Sequence, residues 1–217
     1  MLTASQPQVK CDLVRTGSSF FPVVAACLAV SLLVACGGTL PPPARRVIES
    51  DLGGWHFRRY QRTVDVEVYV ADNPAVAHTA SYARVDAEKS GRLQEGDVAS
   101  VFVTEYERDR GVGRTLVRFA RRLAQEAGYV VEETELGGQR VLRVVGHGEA
   151  WAFWSAGRFV VKVGGRGLDN VPSGIVSEYG RRYPSQVKEG ALDESEPQPE
   201  LENEKSPKRD KKAKKEE

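Results

Sequence analysis

The stretch YVVEETELGGQRVLRVVGHGEAWAFWSAGRFVVKV, from Tyr129 to Val163, decides the fold class of this chain. It contains four runs rich in Val, aromatic and Thr residues, which favour strands. Glycines separate the runs, and Gly137-Gly138 is typical of a two-residue hairpin turn. The pattern predicts four consecutive strands at 129–135, 139–145, 149–155 and 158–163. We therefore expect an antiparallel meander.

The residues before this stretch predict further strands. Valines alternate with other residues over Val64–Val70, which is the period of a half-buried strand, and Asp72-Asn73-Pro74 closes it as a turn. Similar runs predict strands at Ala80–Val85 and Val98–Tyr106. Trp55 and Phe57 alternate in the same way and indicate an earlier strand.

Two segments predict helices. An apolar stripe at helical spacing marks a helix over about 114–127, formed by Leu116, Phe119, Ala120, Leu123, Ala124 and Ala127. Gly128 stands where a left-handed C-cap is expected. A second helix, over about 171–182, has Asp169 or Asn170 as its N-cap and Pro172 in its first turn.

Because the strands cluster rather than alternate with helices, we expect an α+β fold, an antiparallel sheet with these helices packed on one face. One observation qualifies this expectation. Trp151 and Phe153 point to one face of their strand, and Ala152 and Trp154 point to the other. That strand is therefore central and covered on both sides, or it leaves one face for a partner.

The N-terminal part of the chain predicts a targeting segment. An apolar run covers Phe20–Ala35 and would be about 24 Å long as a helix, short of the roughly 30 Å membrane core. It ends in Leu33-Val34-Ala35-Cys36, which resembles the lipobox of bacterial lipoproteins. The alternative is a buried cysteine in an ordinary apolar helix.

The resemblance implies that Cys36 carries the lipid and becomes the mature N-terminus, so that lipid is one partner of the protein. At least two acyl chains, palmitate among them, would anchor it stably. It also implies a cell-envelope location. Gly37 replaces the aspartate that would favour the inner membrane, so we expect the outer membrane, facing the periplasm.

Four segments are predicted. The resemblance implies that residues 1–35 form a cleaved signal peptide, and the composition of residues 36–46 predicts a proline-rich tether that begins at the lipidated Cys36. Residues 47–185 form a single domain, large enough to fold without disulfides. Residues 186–217 are acidic and then basic, which is typical of a disordered tail.

Charge and cysteines exclude several functions. The 31 Lys and Arg balance 30 Asp and Glu, so nothing favours a nucleic-acid partner. Cys11, Cys27 and Cys36 all lie in the leader or at its end, which leaves the domain without a thiol nucleophile or a cysteine metal ligand.

The remaining candidate motifs are weak, and we expect no metal or other cofactor. His56, His78 and His147 show no metal-ligand spacing. Gly111-Val112-Gly113 lacks the rest of a phosphate-binding loop, and Ser173 lacks a nucleophile elbow. The glutamates at positions 132, 133 and 135 lie on a strand whose neighbours face opposite sides, so they place no acid/base pair.

These observations predict a non-enzymatic envelope lipoprotein whose α+β domain binds another envelope protein or a ligand. One alternative is an envelope hydrolase that uses scattered carboxylates or His147. Another is a structural envelope protein that acts through its charged tail.

Overall fold

In the computed structural model, residues 39–63 and 66–193 are described. The predicted signal peptide, Cys36 and the tail beyond Asp193 lie outside them. The described strands are β1 (Trp55–Thr63), β2 (Ala75–Arg84), β3 (Val98–Tyr106), β4 (Tyr129–Leu136), β5 (Gln139–Gly146), β6 (Glu149–Ala156) and β7 (Phe159–Arg166). The described helices are α1 (Val85–Ser90), α2 (Val112–Gln125) and α3 (Ser173–Gly180), with a 3₁₀ turn at Glu95–Asp97.

The seven strands form one open sheet in the order β1-β2-β3-β7-β6-β5-β4, and every neighbouring pair is antiparallel. Two meanders, β1–β3 and β4–β7, join where β3 pairs with β7. The predicted meander from Tyr129 is therefore present, and its first turn uses Gly137 and Gly138 at φ 58° and 73°. The α+β class is confirmed, with strands in the majority.

The strand predicted over 64–70 is wrong for its described part. The strand lies earlier, in β1, and residues 66–70 are not in any strand. Val68 and Val70 are nevertheless buried, while Tyr69 is 75% exposed. An irregular segment that lies on a sheet can bury alternate residues as a strand does, so the alternation could not distinguish the two structures.

The helix bounds differ from the predicted ones by a few residues. α2 begins at Val112, with Gly111 as its N-cap, and Glu126 rather than Gly128 follows its last residue. Gly128 has φ 91° in the connection to β4. The N-cap of α3 is Pro172, in place of the predicted Asp169 or Asn170.

Each face of the sheet carries its own hydrophobic cluster. On one side, which we call the α3 face, the cluster contains Ile175 and Tyr179 of α3 together with Trp154. On the other, the α2 face, it contains Leu116 of α2 together with Phe153. This corrects the expectation of helices on one face, because alternate residues of β6 are apolar on both faces and both need cover.

The packed chain continues past the predicted limits at 47 and 185. The amide of Leu40 donates to the carbonyl of Arg181, at 2.9 Å. At the other end, the amide of Gly190 donates to the carboxylate of Glu133, at 2.9 Å, and Ala191 is 5% exposed. Residues on both sides of the predicted domain therefore belong to its folded surface.

Candidate functional site

The site lies on the α2 face, where three central strands meet. The register pairs Lys162 of β7 with Phe102 of β3 on one side and with Phe153 of β6 on the other. Residues paired across neighbouring strands point to the same face. The topology therefore places the lysine between two phenylalanines.

A third aromatic ring completes the surroundings of the lysine. Trp151 is paired across the sheet with Gly164, which has no side chain. The Trp151 ring therefore has room to lie against the Lys162 side chain. The Lys162 Nζ atom is 3.9 Å from the centre of the Trp151 ring and 5.3 Å from those of Phe102 and Phe153. At these distances the ring faces stabilise a cation, by roughly 0.5–2 kcal/mol for each favourable contact.

Burial of this cation is unusual, because lysine side chains are mostly exposed and are enclosed only when they are paired. The Lys162 side chain is only 12% exposed. Its partner is Glu67, whose Oε1 is 2.5 Å from Nζ and whose side chain is 51% exposed. In this ion pair the cation is therefore largely buried, whereas the anion is half exposed.

A second carboxylate lies close by. Glu149 accepts a hydrogen bond from the Tyr129 hydroxyl, at 2.9 Å. Burial raises the pKa of this carboxyl, but the Trp151 indole, the Tyr129 hydroxyl and the charges of Lys162 and Arg166 outweigh burial and hold the pKa below its usual value. The Glu149 side chain is therefore ionised at neutral pH.

Glu67 is carried by the irregular segment 66–70, which is fixed at Val68 and, just beyond its end, at Asn73. The Tyr106 hydroxyl donates to the carbonyl of Val68, and the Asn73 side chain exchanges hydrogen bonds with the backbone of Arg108, at 2.8 and 3.0 Å. Both anchors lie after Glu67 in the chain. They hold the segment on the α2 face without enclosing the glutamate.

Between this segment and the sheet lies a cavity of about 300 Å³, which we call the Lys162 cavity. Its walls are Thr63, Val66, Glu67, Val68, Ala77, Phe102, Thr104, Phe153, Val160 and Lys162. Mostly apolar walls with a few polar groups are typical of small-molecule sites, and this volume is at their lower end. The arrangement can bind and orient a ligand.

The histidines do not assemble into a site. His147 is exposed in the β5–β6 turn at φ 50°, and its Nε2 donates to the carbonyl of Ala127, at 3.0 Å. Among the described residues, no carboxylate pairs with its ring. His56 contacts Glu88 at 2.6 Å, and His78 contacts the Tyr60 hydroxyl at 3.0 Å.

The other candidate motifs have local structural roles. Gly111 is the N-cap of α2, at φ 83°, and Ser173 is the first residue of α3. Glu132 pairs with Arg143, at 2.7 Å, whereas Glu133 binds backbone amides of Gly190 and Leu192. Glu132 and Glu133 therefore have separate partners.

Sequence patterns did not indicate Lys162 or Glu67 as site residues. The alternation along β6 places Trp151 and Phe153 on one face, but it does not by itself identify the polar residues of neighbouring strands on that face. The available signal was a lone lysine at an alternate position of an otherwise apolar strand, FVVKVGG. No pattern in the sequence indicates that Glu67 reaches it.

In comparisons with known proteins, no family model, curated protein or solved structure matches the chain. Among the described residues, no group of three or more His, Cys, Asp or Glu side chains could hold a metal ion. No described helix is long and apolar enough to span a membrane.

Proposed function

We propose that this chain is a lipid-anchored protein of the bacterial cell envelope, without enzymatic activity, whose domain binds a small ligand in the Lys162 cavity. The anchor is Cys36, at the end of the lipobox-like motif. The domain stands off the membrane on the proline-rich segment that follows.

The observation that carries the binding function is the enclosed ammonium group of Lys162 beside an apolar cavity. A charged group in such a place costs free energy unless it is paired. A sheet that needed only stability would hold an apolar residue between Phe102 and Phe153, since buried ion pairs rarely stabilise more than apolar packing does. A role in orienting a bound ligand explains why a lysine occupies this position.

The anchor makes one prediction. Cells that express the protein and receive a fatty-acid probe should label the wild type and leave Cys36→Ala unlabelled, because the cysteine sulfur is the attachment point. Cys27→Ala is the matched control and should keep its label. Equal labelling of the wild type and Cys36→Ala would contradict the proposed anchor.

The cavity makes a second prediction. Ala77→Leu adds side-chain volume to the cavity wall, whereas Ala75→Leu makes the same change on the same strand outside the wall. In the full chain carrying Cys36→Ala, calorimetric titration with octanoate, octanol and octylamine should detect binding of at least one. Ala77→Leu should weaken that binding tenfold or more, and Ala75→Leu should leave it unchanged. If none of the three compounds binds, the ligand-binding function is wrong.

A further inference from the structure

We infer that the ligand is a small amphipathic monocarboxylate, whose head group takes the place of the Glu67 carboxylate on Lys162. This inference rests on the proposed binding function and specifies its ligand. It follows from the positions of the charges, the nature of the walls and the way in which Glu67 is held.

The charge of the site selects an anion. The ammonium of Lys162 already occupies the space among Trp151, Phe102 and Phe153, so a ligand cation would meet a like charge there. A carboxylate that replaces Glu67 keeps the ammonium paired. The exchange therefore leaves the partly buried charge of Lys162 compensated, which is the condition for a favourable ion pair at such a site.

The number of charges favours a monoanion. Among the described residues that line the cavity, Lys162 is the only cation. The ionised Glu149 lies near enough to Lys162 for their charges to interact. A phosphate dianion would bring two negative charges to one ammonium and one carboxylate, and the described walls offer no arginine to bind it through two hydrogen bonds.

The walls select the rest of the molecule. Apart from Lys162 and Glu67, the cavity presents phenyl, valine and alanine side chains, with the hydroxyls of Thr63 and Thr104. Apolar area removed from water contributes about 25 cal/mol per Å². A short aliphatic or aromatic tail therefore supplies the affinity, and Lys162 supplies the head-group selectivity.

Glu67 acts in this arrangement as an internal competitor. Its side chain is half exposed and belongs to no strand, whereas Lys162 is held in the centre of the sheet. When the ligand arrives, the glutamate can turn to solvent while the lysine stays in place. An uncharged residue at position 67 would remove the competition and leave the ammonium open to the ligand.

The test compares octanoate, octanol and octylamine, which each contain a chain of eight carbon atoms, by calorimetric titration of the full chain carrying Cys36→Ala. In that background octanoate should bind at least tenfold more tightly than octanol, and octylamine should not bind. Glu67→Gln should tighten octanoate binding fivefold or more and leave octanol binding unchanged. Glu135→Gln, a change of the same kind at an exposed position on β4, should alter neither.

Lys162→Met keeps much of the side-chain volume without the charge, and it should remove the preference for octanoate over octanol. Thermal melts establish that each variant is folded. Glu67→Gln changes a half-exposed side chain, so it remains informative if Lys162→Met does not fold. Unchanged or weaker octanoate binding in Glu67→Gln would overturn the inference, as would stronger binding of octylamine or octanol in the unmutated site. Those results would leave ligand binding itself intact, whereas binding of none of the three compounds refutes the binding function.

Discussion

Trp154→Ala is expected to lower the free energy of unfolding by about 3–5 kcal/mol, which is the usual cost of removing a large buried ring. Trp154 is 0% exposed in the cluster on the α3 face. Its Nε1 also donates a hydrogen bond to the carbonyl of Tyr183, at 2.7 Å. Truncation would therefore leave both a cavity and an unpaired carbonyl. Equilibrium denaturation in urea measures the loss.

Two further variants separate these causes. Trp154→Phe keeps an aromatic ring but removes the donor, and it should cost about 1–3 kcal/mol through the unpaired carbonyl and the smaller ring. Tyr69→Ala removes a ring that is 75% exposed and should change stability by no more than about 0.5 kcal/mol. If Tyr69→Ala lowered the free energy of unfolding as much as Trp154→Ala, the assignment of Trp154 as buried and Tyr69 as exposed would be wrong.

Gly164→Ala should destabilise the protein by roughly 3 kcal/mol or more, since it combines overpacking with a strained backbone. A Cβ atom at Gly164 would lie 2.0 Å from the carbonyl oxygen of Ala150 and 2.8 Å from the Cα atom of Trp151. The backbone at Gly164 has φ 154°, a conformation that residues with a side chain rarely adopt. Relief of the clash would push β6 away from β7, and the Trp151 ring away from Lys162.

The matched control is Gly174→Ala in α3, where a Cβ atom has no neighbour within 4 Å. Because alanine favours a helix over glycine by up to about 1 kcal/mol, this variant should be as stable as the wild type or more so. Urea melts of both variants decide the matter. If Gly164→Ala were as stable as Gly174→Ala, the close approach of β6 to β7 would be refuted.

Local patterns predicted the strands and helices far better than the way in which they pack. The hairpin at Gly137-Gly138 and the limits of β3 followed from turn chemistry and from the run of strand-forming residues. The alternation over 64–70 correctly predicted that Val68 and Val70 are buried. It could not predict which part of the protein covers them. Hydrogen-bond partners across the sheet depend on the tertiary structure, so the irregular segment on the α2 face could not be distinguished from a strand.

The site was harder to predict because it depends on strand order. Lys162 and Phe153 belong to neighbouring strands of the predicted meander, and their proximity could have been inferred. Phe102 belongs to the other meander and meets Lys162 only because β3 pairs with β7. Glu67 arrives from an irregular segment. Both of these contacts are distant in sequence, and a single sequence carries no signal for them.

The position of β7 beside β3 also has a kinetic consequence. Hairpins such as β4–β5 and β6–β7 close through short turns and can form in about 1–10 μs. The β3–β7 pair must instead bring Glu105 to Phe159 across α2 and three intervening strands, and such distant pairings are slow. Before that closure, the chain exposes an unpaired edge on each meander and has no Lys162 cavity. Pairing of β3 with β7 therefore also brings Phe102 to Lys162 and completes that part of the site.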